Sequence, residues 1–113
     1  MESYIKNIEH STVLPLASQV EYQTGQIASK TLAQNKSHSL TLFAFEQNEE
    51  SSSHKSTGDA FVMALDGVGK ITIGAEEHVL KAGEAIVMPA QIPHAVHAVE
   101  RFKMLLVVIF PEN

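Results

Sequence analysis

The sequence predicts an all-β fold in which short antiparallel strands form a sandwich or a small barrel. Three observations support this prediction. From residue 60 onwards, apolar runs of strand length alternate with breaks at glycine or proline, which mark turns. Residues 39–45 are apolar on both faces, as in a strand that is covered on each side. No window of ten residues shows a convincing 3.6-residue apolar period, the signal of an amphipathic helix.

Length and composition predict a single domain over residues 1–113. Hydrophobic residues make up 44% of the chain, which is enough for an apolar core. The absence of cysteine excludes disulfides and thiolate metal ligands and fits a reducing compartment. A net charge of −5 with only 8 basic residues disfavours a nucleic-acid partner, because phosphate contacts need clustered lysine and arginine.

The ends of the chain favour a cytoplasmic protein with no membrane partner. The start, MESYIKNIEHS, has neither the basic region nor the apolar stretch of a signal peptide. The longest apolar run, MLLVVIF, is far too short to span a membrane.

The first half of the chain gives weaker structural signals than the second. Pro15 predicts an edge strand or an extended segment over residues 13–16. Residues 28–37 are polar with a preference for β structure. Residues 46–59 are rich in serine and glutamate and predict a loop. Such a loop is either a solvated connection or a segment that carries binding residues.

The second half predicts a series of short strands joined by turns. The Asp-Gly pair in residues 66–69 predicts a tight hairpin turn, and the charged residues 100–103 predict another turn with a charged rim. The strands predicted around these and the other turns are residues 60–65, 70–73, 78–80, 85–88, 94–99 and 102–110.

Residues 38–110 resemble the small single-domain group of the cupin family. The second motif of that family is written G-x5-P-x-G-x2-H-x3-N. Here Gly83, Pro89 and His94 match it. Two positions depart from it, since Gln91 stands where glycine is usual and Ala98 where asparagine is usual.

The first cupin motif, G-x5-H-x-H-x3,4-E-x6-G, is matched less completely. His54 and Gly67 stand at its first histidine and its closing glycine. Its opening glycine falls at Asn48, its second histidine at Ser56 and its glutamate at Ala60. The resemblance is therefore more specific for the fold than for an activity.

The resemblance implies a double-stranded β-helix, or jelly-roll barrel, of two antiparallel sheets with a pocket between them. His54 and His94, forty residues apart in sequence, would then face the same cavity. Strand alternation predicts the inward side chains that would line this ligand pocket, and they are Ser56, Ala60, Val62, Ala64, Val96 and Ala98.

The outward side chains of the same strands need a cover. Phe61, Met63 and Leu65 would face away from the cavity, and three large apolar residues are too many to leave in water. Another part of the chain or a partner subunit would cover them. Because small cupins are commonly dimers, the resemblance implies a homodimer.

Cupins commonly bind iron, manganese, zinc, nickel or copper through three imidazoles and one carboxylate. In this chain only His54 and His94 remain of those four ligands, so they predict a degenerate site that would bind one divalent transition metal weakly. Alternation points Asp59 and His97 away from the site, and His78 lies on a hairpin that the family does not use. The other interpretation is a pair of neutral pocket histidines, hydrogen-bonded to each other or to water.

The function predicted is small-molecule binding in the barrel cavity, with or without a metal. His94 is the candidate general base, because an unperturbed imidazole titrates near neutral pH. The alternative is a metal-dependent enzyme, either a small-metabolite oxygenase or an isomerase. The sequence contains no helix-turn-helix, which disfavours a DNA-binding regulator, and it identifies neither a substrate nor a reaction.

Overall fold

The computed structural model describes residues 3–112, and it confirms the all-β prediction. The strands pair antiparallel throughout. Within these residues no helix is long and apolar enough to cross a membrane. The elements are a 3-10 helix at Leu16–Gln19 and the strands β1 Ile27–Gln34, β2 His38–Phe45, β3 Asp59–Ile73, β4 Glu76–Lys81, β5 Ala85–Met88 and β6 His94–Ile109.

Two long strands, β3 and β6, connect the two layers of the barrel. The first half of β3 pairs with the second half of β6 and with β5. The second half of β3 pairs with the first half of β6 and with β4. Strand β2 lies beside the second half of β6, and β1 lies beside β2. One layer therefore runs β1–β2–β6–β3–β5 and the other contains β6, β3 and β4, as in a jelly roll.

The predicted hairpin turn at residues 66–69 is wrong, because β3 continues through this segment as a bulge where its register with β6 shifts. Gly67 has a φ of 73°, and a Cβ atom there would lie 1.5 Å from the carbonyl oxygen of Arg101. A Cβ atom at Gly69 would lie 2.6 Å from Cε2 of Phe102. The glycines that suggested a turn instead let the two long strands approach each other closely.

The predicted turn at residues 100–103 is also wrong, since this segment lies inside the single strand β6. Phe102 is buried in the core, and Lys103 is buried as well. Near the start of the chain, an edge strand or an extended segment was predicted over residues 13–16. Residues 13–15 form no strand, Pro15 has an extended backbone, and a 3-10 helix begins at Leu16.

Two apolar clusters lie on opposite faces of the larger layer. The cluster between the layers contains five of the six largest fully buried side chains, which are Phe45, Val62, Ile71, Met88 and Phe102. The second cluster is formed by Val20, Leu32, Leu42 and Ala44, with Leu65 packed against it. The N-terminal segment thus covers part of the outer face, including one of the outward residues that the alternation pattern identified.

Tyr22 attaches this N-terminal segment to the bulge of β3 and the adjacent part of β6, where the two long strands bend. Its hydroxyl donates a hydrogen bond of 2.5 Å to Asp66, and the cationic groups of Arg101 and Lys103 lie 4.9 and 4.8 Å from its ring centroid. Lys103 also donates to the carbonyl oxygen of Ala17 at 2.6 Å. Burial and the Asp66 carboxylate raise the pKa of Tyr22, so the hydroxyl remains a donor.

Candidate functional site

The segment 48–54, within the predicted loop, brings His54 beside β6 through two isolated β-bridges, Glu50 with His97 and His54 with His94. The amide of Asn48 donates to the carbonyl of Ala98 at 2.8 Å. Further along, the amide of His54 donates to the carbonyl of His94 at 3.1 Å, and the amide of His94 donates back at 2.9 Å. In an antiparallel pair that exchanges both hydrogen bonds, the side chains project from the same face. The two imidazoles are therefore neighbours.

The two rings meet through their Nε2 atoms, which are 3.1 Å apart. The ring centroids are 4.4 Å apart, with an interplanar angle of 71°. The environments of the rings differ, because His94 is only 4% exposed whereas His54 lies at the surface. The pair thus connects the interior of the barrel to solvent.

Hydrogen-bond chemistry assigns a tautomer to each neutral ring. Nδ1 of His54 lies 3.1 Å from the carbonyl oxygen of Ser52, and a carbonyl can only accept a hydrogen bond. Nδ1 of His54 is then the donor, which leaves its Nε2 to accept from Nε2 of His94. Nδ1 of His94 keeps its lone pair, and among residues 3–112 this buried atom has no partner with hydrogen-bond geometry.

Burial lowers the pKa of His94, and the charge that His54 would carry lowers it further. The backbone of Ile92 acts weakly in the opposite direction. His94 is therefore neutral at neutral pH, the state that a general base or a neutral hydrogen-bond partner requires.

This pKa shift predicts lower stability in acid. Because the pKa of His94 is lower in the folded protein than in the unfolded chain, the unfolded chain binds more protons below about pH 6.5. The stability that neutral His94 contributes is fully present above about pH 6.5. It is lost as the pH falls through the pKa that His94 has in the folded protein. In chelator-treated protein we expect His94→Gln to reduce the fall in Tm between pH 7.5 and 5. An unaltered fall in His94→Gln would contradict the assignment.

The side chains of Ser56, Ala60 and Asp59, at or beside the other ligand positions of the first motif, supply no further metal ligand to the two imidazoles. The hydroxyl of Ser56 accepts a hydrogen bond of 3.1 Å from the amide of Gly58. Ala60 lies in the core and has no donor atom. Asp59 accepts from the amide of Ala90 at 2.8 Å, so its carboxylate fixes the loop before β6.

The two remaining histidines that the sequence considered are paired elsewhere. His97 lies 3.3 Å from the carboxylate of Glu50, and His78 lies 3.8 Å from that of Glu76. Across residues 3–112 no group of three or more histidine, cysteine, aspartate or glutamate side chains is arranged to bind a metal. His54 and His94 therefore stand as a pair.

The side chains predicted to line the pocket lie between the layers, except for Ser56, which is partly exposed at the rim. The inward residues belong to the apolar core cluster and are fully or almost fully buried, and they are Ala60, Val62, Ala64, Val96 and Ala98. The part of the site that solvent reaches is therefore its rim, where His54, Ser56 and the exposed side chain of Ile92 lie.

All four glycine positions of the two motifs adopt a left-handed backbone, even where glycine is absent. The φ angles are 69° at Asn48, 73° at Gly67, 90° at Gly83 and 66° at Gln91. Asparagine tolerates this conformation better than most residues, whereas glutamine does not. The backbone thus keeps the geometry of the motif at positions where the side chains depart from it.

Replacing Gln91 with glycine is expected to stabilise the protein. Relief of left-handed strain, about 1–2 kcal/mol, outweighs the entropy that glycine adds to the unfolded chain, roughly 0.5–1 kcal/mol. Chemical denaturation should show a net gain, with Asn48→Gly giving less because asparagine is less strained. Destabilisation by Gln91→Gly would show that the glutamine side chain has a stabilising role of its own.

A family profile and several solved structures match most of this chain. A family profile described as Cupin domain matches residues 41–110. A conserved protein of unknown function from Streptococcus pyogenes is 46% identical over 99% of this chain and 98% of its own, with a TM-score of 0.96. A cupin superfamily protein from Desulfitobacterium hafniense is 31% identical over 96% of this chain and 100% of its own, with a TM-score of 0.92.

A third solved structure is similar over a shorter part of its own length. It is a cupin 2 conserved barrel domain protein from Leptotrichia buccalis, 44% identical over 82% of this chain and 45% of that chain, with a TM-score of 0.81. No curated protein matches the chain.

Proposed function

The chain belongs to the cupin family, and from this premise we propose that it binds a small molecule at the barrel end where His54 and His94 meet. The observation that carries the proposal is the 3.1 Å contact between their Nε2 atoms. One ring is buried and the other is exposed, so a ligand at the rim could exchange hydrogen bonds with the pair while its apolar part lies against the barrel.

The surroundings of the pair favour a small and mostly apolar ligand with one or two polar groups. Ile73 lies opposite His94 in the β3–β6 register, and the side chain of Ile92 is exposed beside it. No fixed cation is part of the hydrogen-bonded pair. Few polar groups amid apolar side chains are typical of sites that orient a small organic molecule.

The four-ligand metal centre of the family does not fit this chain, because Ser56 and Ala60 replace two of the ligands. The two Nε2 atoms are close enough to bind one divalent ion at the usual metal–nitrogen distance of about 2.0–2.1 Å. Its remaining coordination positions would fall to water or to the ligand, so affinity would be low. We therefore rank small-molecule binding above a metal-dependent oxygenase or isomerase.

The proposed location of the protein is the cytoplasm, which the lack of cysteine in the sequence supports.

A ligand screen by NMR tests this function. We expect a compound from a set of small metabolites to shift the amide signals of His54, Ser56 and residues 91–94 in labelled protein. His94→Ala should abolish these shifts. The matched control, His78→Ala, removes an imidazole from the β4 hairpin and should retain them. Shifts that persist in folded His94→Ala, or a screen with no response at these amides, would contradict the proposal.

A further inference from the structure

We propose that a carboxylate with a linear aliphatic chain, such as a fatty acid, binds between the N-terminal segment and the outer face of the larger layer. We call this space the N-terminal groove, and it consists of three adjoining cavities of about 600, 400 and 430 Å³. Its walls come from residues 3–16, β1, β2, the turn between these strands, and the second half of β6. The inference concerns a different surface from the histidine pair and does not depend on the proposed function.

The three cavities are continuous with one another because they share walls. Tyr4 lines all three of them. Ile5 and Leu40 each line both the first and the second, and Ala33 and His38 each line both the second and the third. The second cavity therefore joins the other two, and a linear molecule can extend from one end of the groove to the other.

The first cavity is mostly aliphatic and suits an alkyl chain. Its apolar walls include Ile5, Ile8, Leu16, Leu32, Leu40 and Leu105. Leu105 lies opposite Leu42 on β2, whereas Ile109, which lines the second cavity, lies opposite His38. At roughly 3.4 Å per residue this separation along β2 spans about 13 Å, the length of an extended alkyl chain of medium size.

The charges at the two ends of the groove favour an anionic head group and fix its position. Among the described residues that line the third cavity, Lys6 is the only lysine, arginine, aspartate or glutamate. At the other end, Glu9 lines the first cavity. A carboxylate is attracted to the Lys6 ammonium and repelled by Glu9, so the head group lies in the third cavity and the chain extends towards Leu105.

The third cavity also contains a fixed amide donor for this head group. Oδ1 of Asn35 accepts from the backbone amides of Ser37 and His38 at 2.9 and 3.0 Å. Nδ2 of Asn35 donates to Nε2 of His38 at 3.3 Å. Because a carboxamide carries two N–H groups, the second remains for the carboxylate.

Hydrogen bonds hold the outer wall of the groove in place before a ligand binds. The backbone amide of Lys6 donates to the carbonyl of Leu32 at 2.7 Å. Nδ2 of Asn7 donates to the carbonyl of Thr31, also at 2.7 Å. Both carbonyls lie at the irregularity in β1, where its register with β2 shifts. A wall that is already ordered lowers the entropic cost of binding.

Isothermal titration of the full chain with octanoate and decanoate tests this site. We expect decanoate to bind at least about fivefold more tightly than octanoate, because each methylene that is fully buried adds up to about fourfold. Decyltrimethylammonium, which has the opposite charge, should bind more weakly than decanoate. Equal affinity for octanoate and decanoate, tighter binding of the cation, or no binding of decanoate would overturn the proposal.

Two lysine variants with the same change of charge test the head-group position. Lys6→Gln should weaken decanoate binding about fivefold, as expected for a charged hydrogen bond near the surface. Lys36→Gln is the matched control, because Lys36 is exposed in the turn between β1 and β2 and should bind decanoate as the wild-type protein does. Equal affinities in the two variants would contradict the assigned position.

A substitution in the apolar wall tests the position of the chain. Leu40→Asp should abolish decanoate binding, and circular dichroism should show that the variant is folded. If it is not, Ile5→Asp replaces it, since Ile5 is 44% exposed. In labelled wild-type protein, decanoate should shift the amide signals of residues 4–6 and 33–40. Shifts confined to residues 91–94, or undiminished binding by a folded wall variant, would overturn the proposal.

Discussion

Replacing Gly67 with alanine is expected to destabilise the protein by roughly 3 kcal/mol or more, near the upper end of single-residue effects. A Cβ atom at this position would lie 1.5 Å from the carbonyl oxygen of Arg101, and the φ of 73° is strained for alanine. The obstacle is backbone, so a side-chain rotation cannot relieve it. We therefore expect β3 and β6 to separate locally at their bend, and the midpoint of denaturant unfolding to fall accordingly.

Gly83→Ala provides the matched control. Gly83 has a φ of 90°, but within the described part of the chain no atom beyond its two neighbours lies within 4 Å of the position that its Cβ would occupy. Only backbone strain of roughly 1–2 kcal/mol is then expected. Equal destabilisation by the two substitutions would mean that the close approach of the strands at Gly67 is not required for stability.

Restoring one histidine of the family motif, by Ser56→His, is expected to raise the affinity for zinc about 10–100-fold, the range seen when supporting groups of metal sites change. The added ring would bring a third imidazole to the rim where His54 and His94 meet. The hydroxyl that it replaces makes a single hydrogen bond to the Gly58 amide, so the loop should tolerate the change. Isothermal titration of zinc into chelator-treated protein measures the gain.

Two controls separate this effect from the mere addition of a histidine. Ser53→His places an imidazole on the same exposed loop, next to His54 and on the opposite side of the chain by strand alternation. It should give little gain. Ser56→His combined with His94→Ala should also give little, since the partner ring is missing. An equal gain in all three variants would show that the pair does not organise the binding of a metal.

The all-β fold could be predicted from local patterns, because apolar runs of strand length alternate with turn residues. The meeting of His54 and His94 was implied by the resemblance to the cupin motifs, since their separation in sequence alone does not bring them together. The motif spacing also aligned Asn48 and Gln91 with glycine positions of the family. Their φ angles of 69° and 66° agree with this alignment, because they lie in the region that glycine favours.

The sequence could not predict the bend of β3 or the attachment of Tyr22. An Asp-Gly pair favours a turn and a bulge alike, and the distinction depends on the carbonyl of Arg101, which is remote in sequence. Tyr22 contacts Asp66 and Lys103, which are both distant from it in sequence. Long-range contacts of this kind leave no periodic signal.

A crystal structure of the chelator-treated protein would measure the distance between Nε2 of His54 and Nε2 of His94, on which the proposed site depends. We expect contact within hydrogen-bond reach, close to 3.1 Å. Rings that are separated beyond about 3.5 Å and turned toward different surfaces would contradict it.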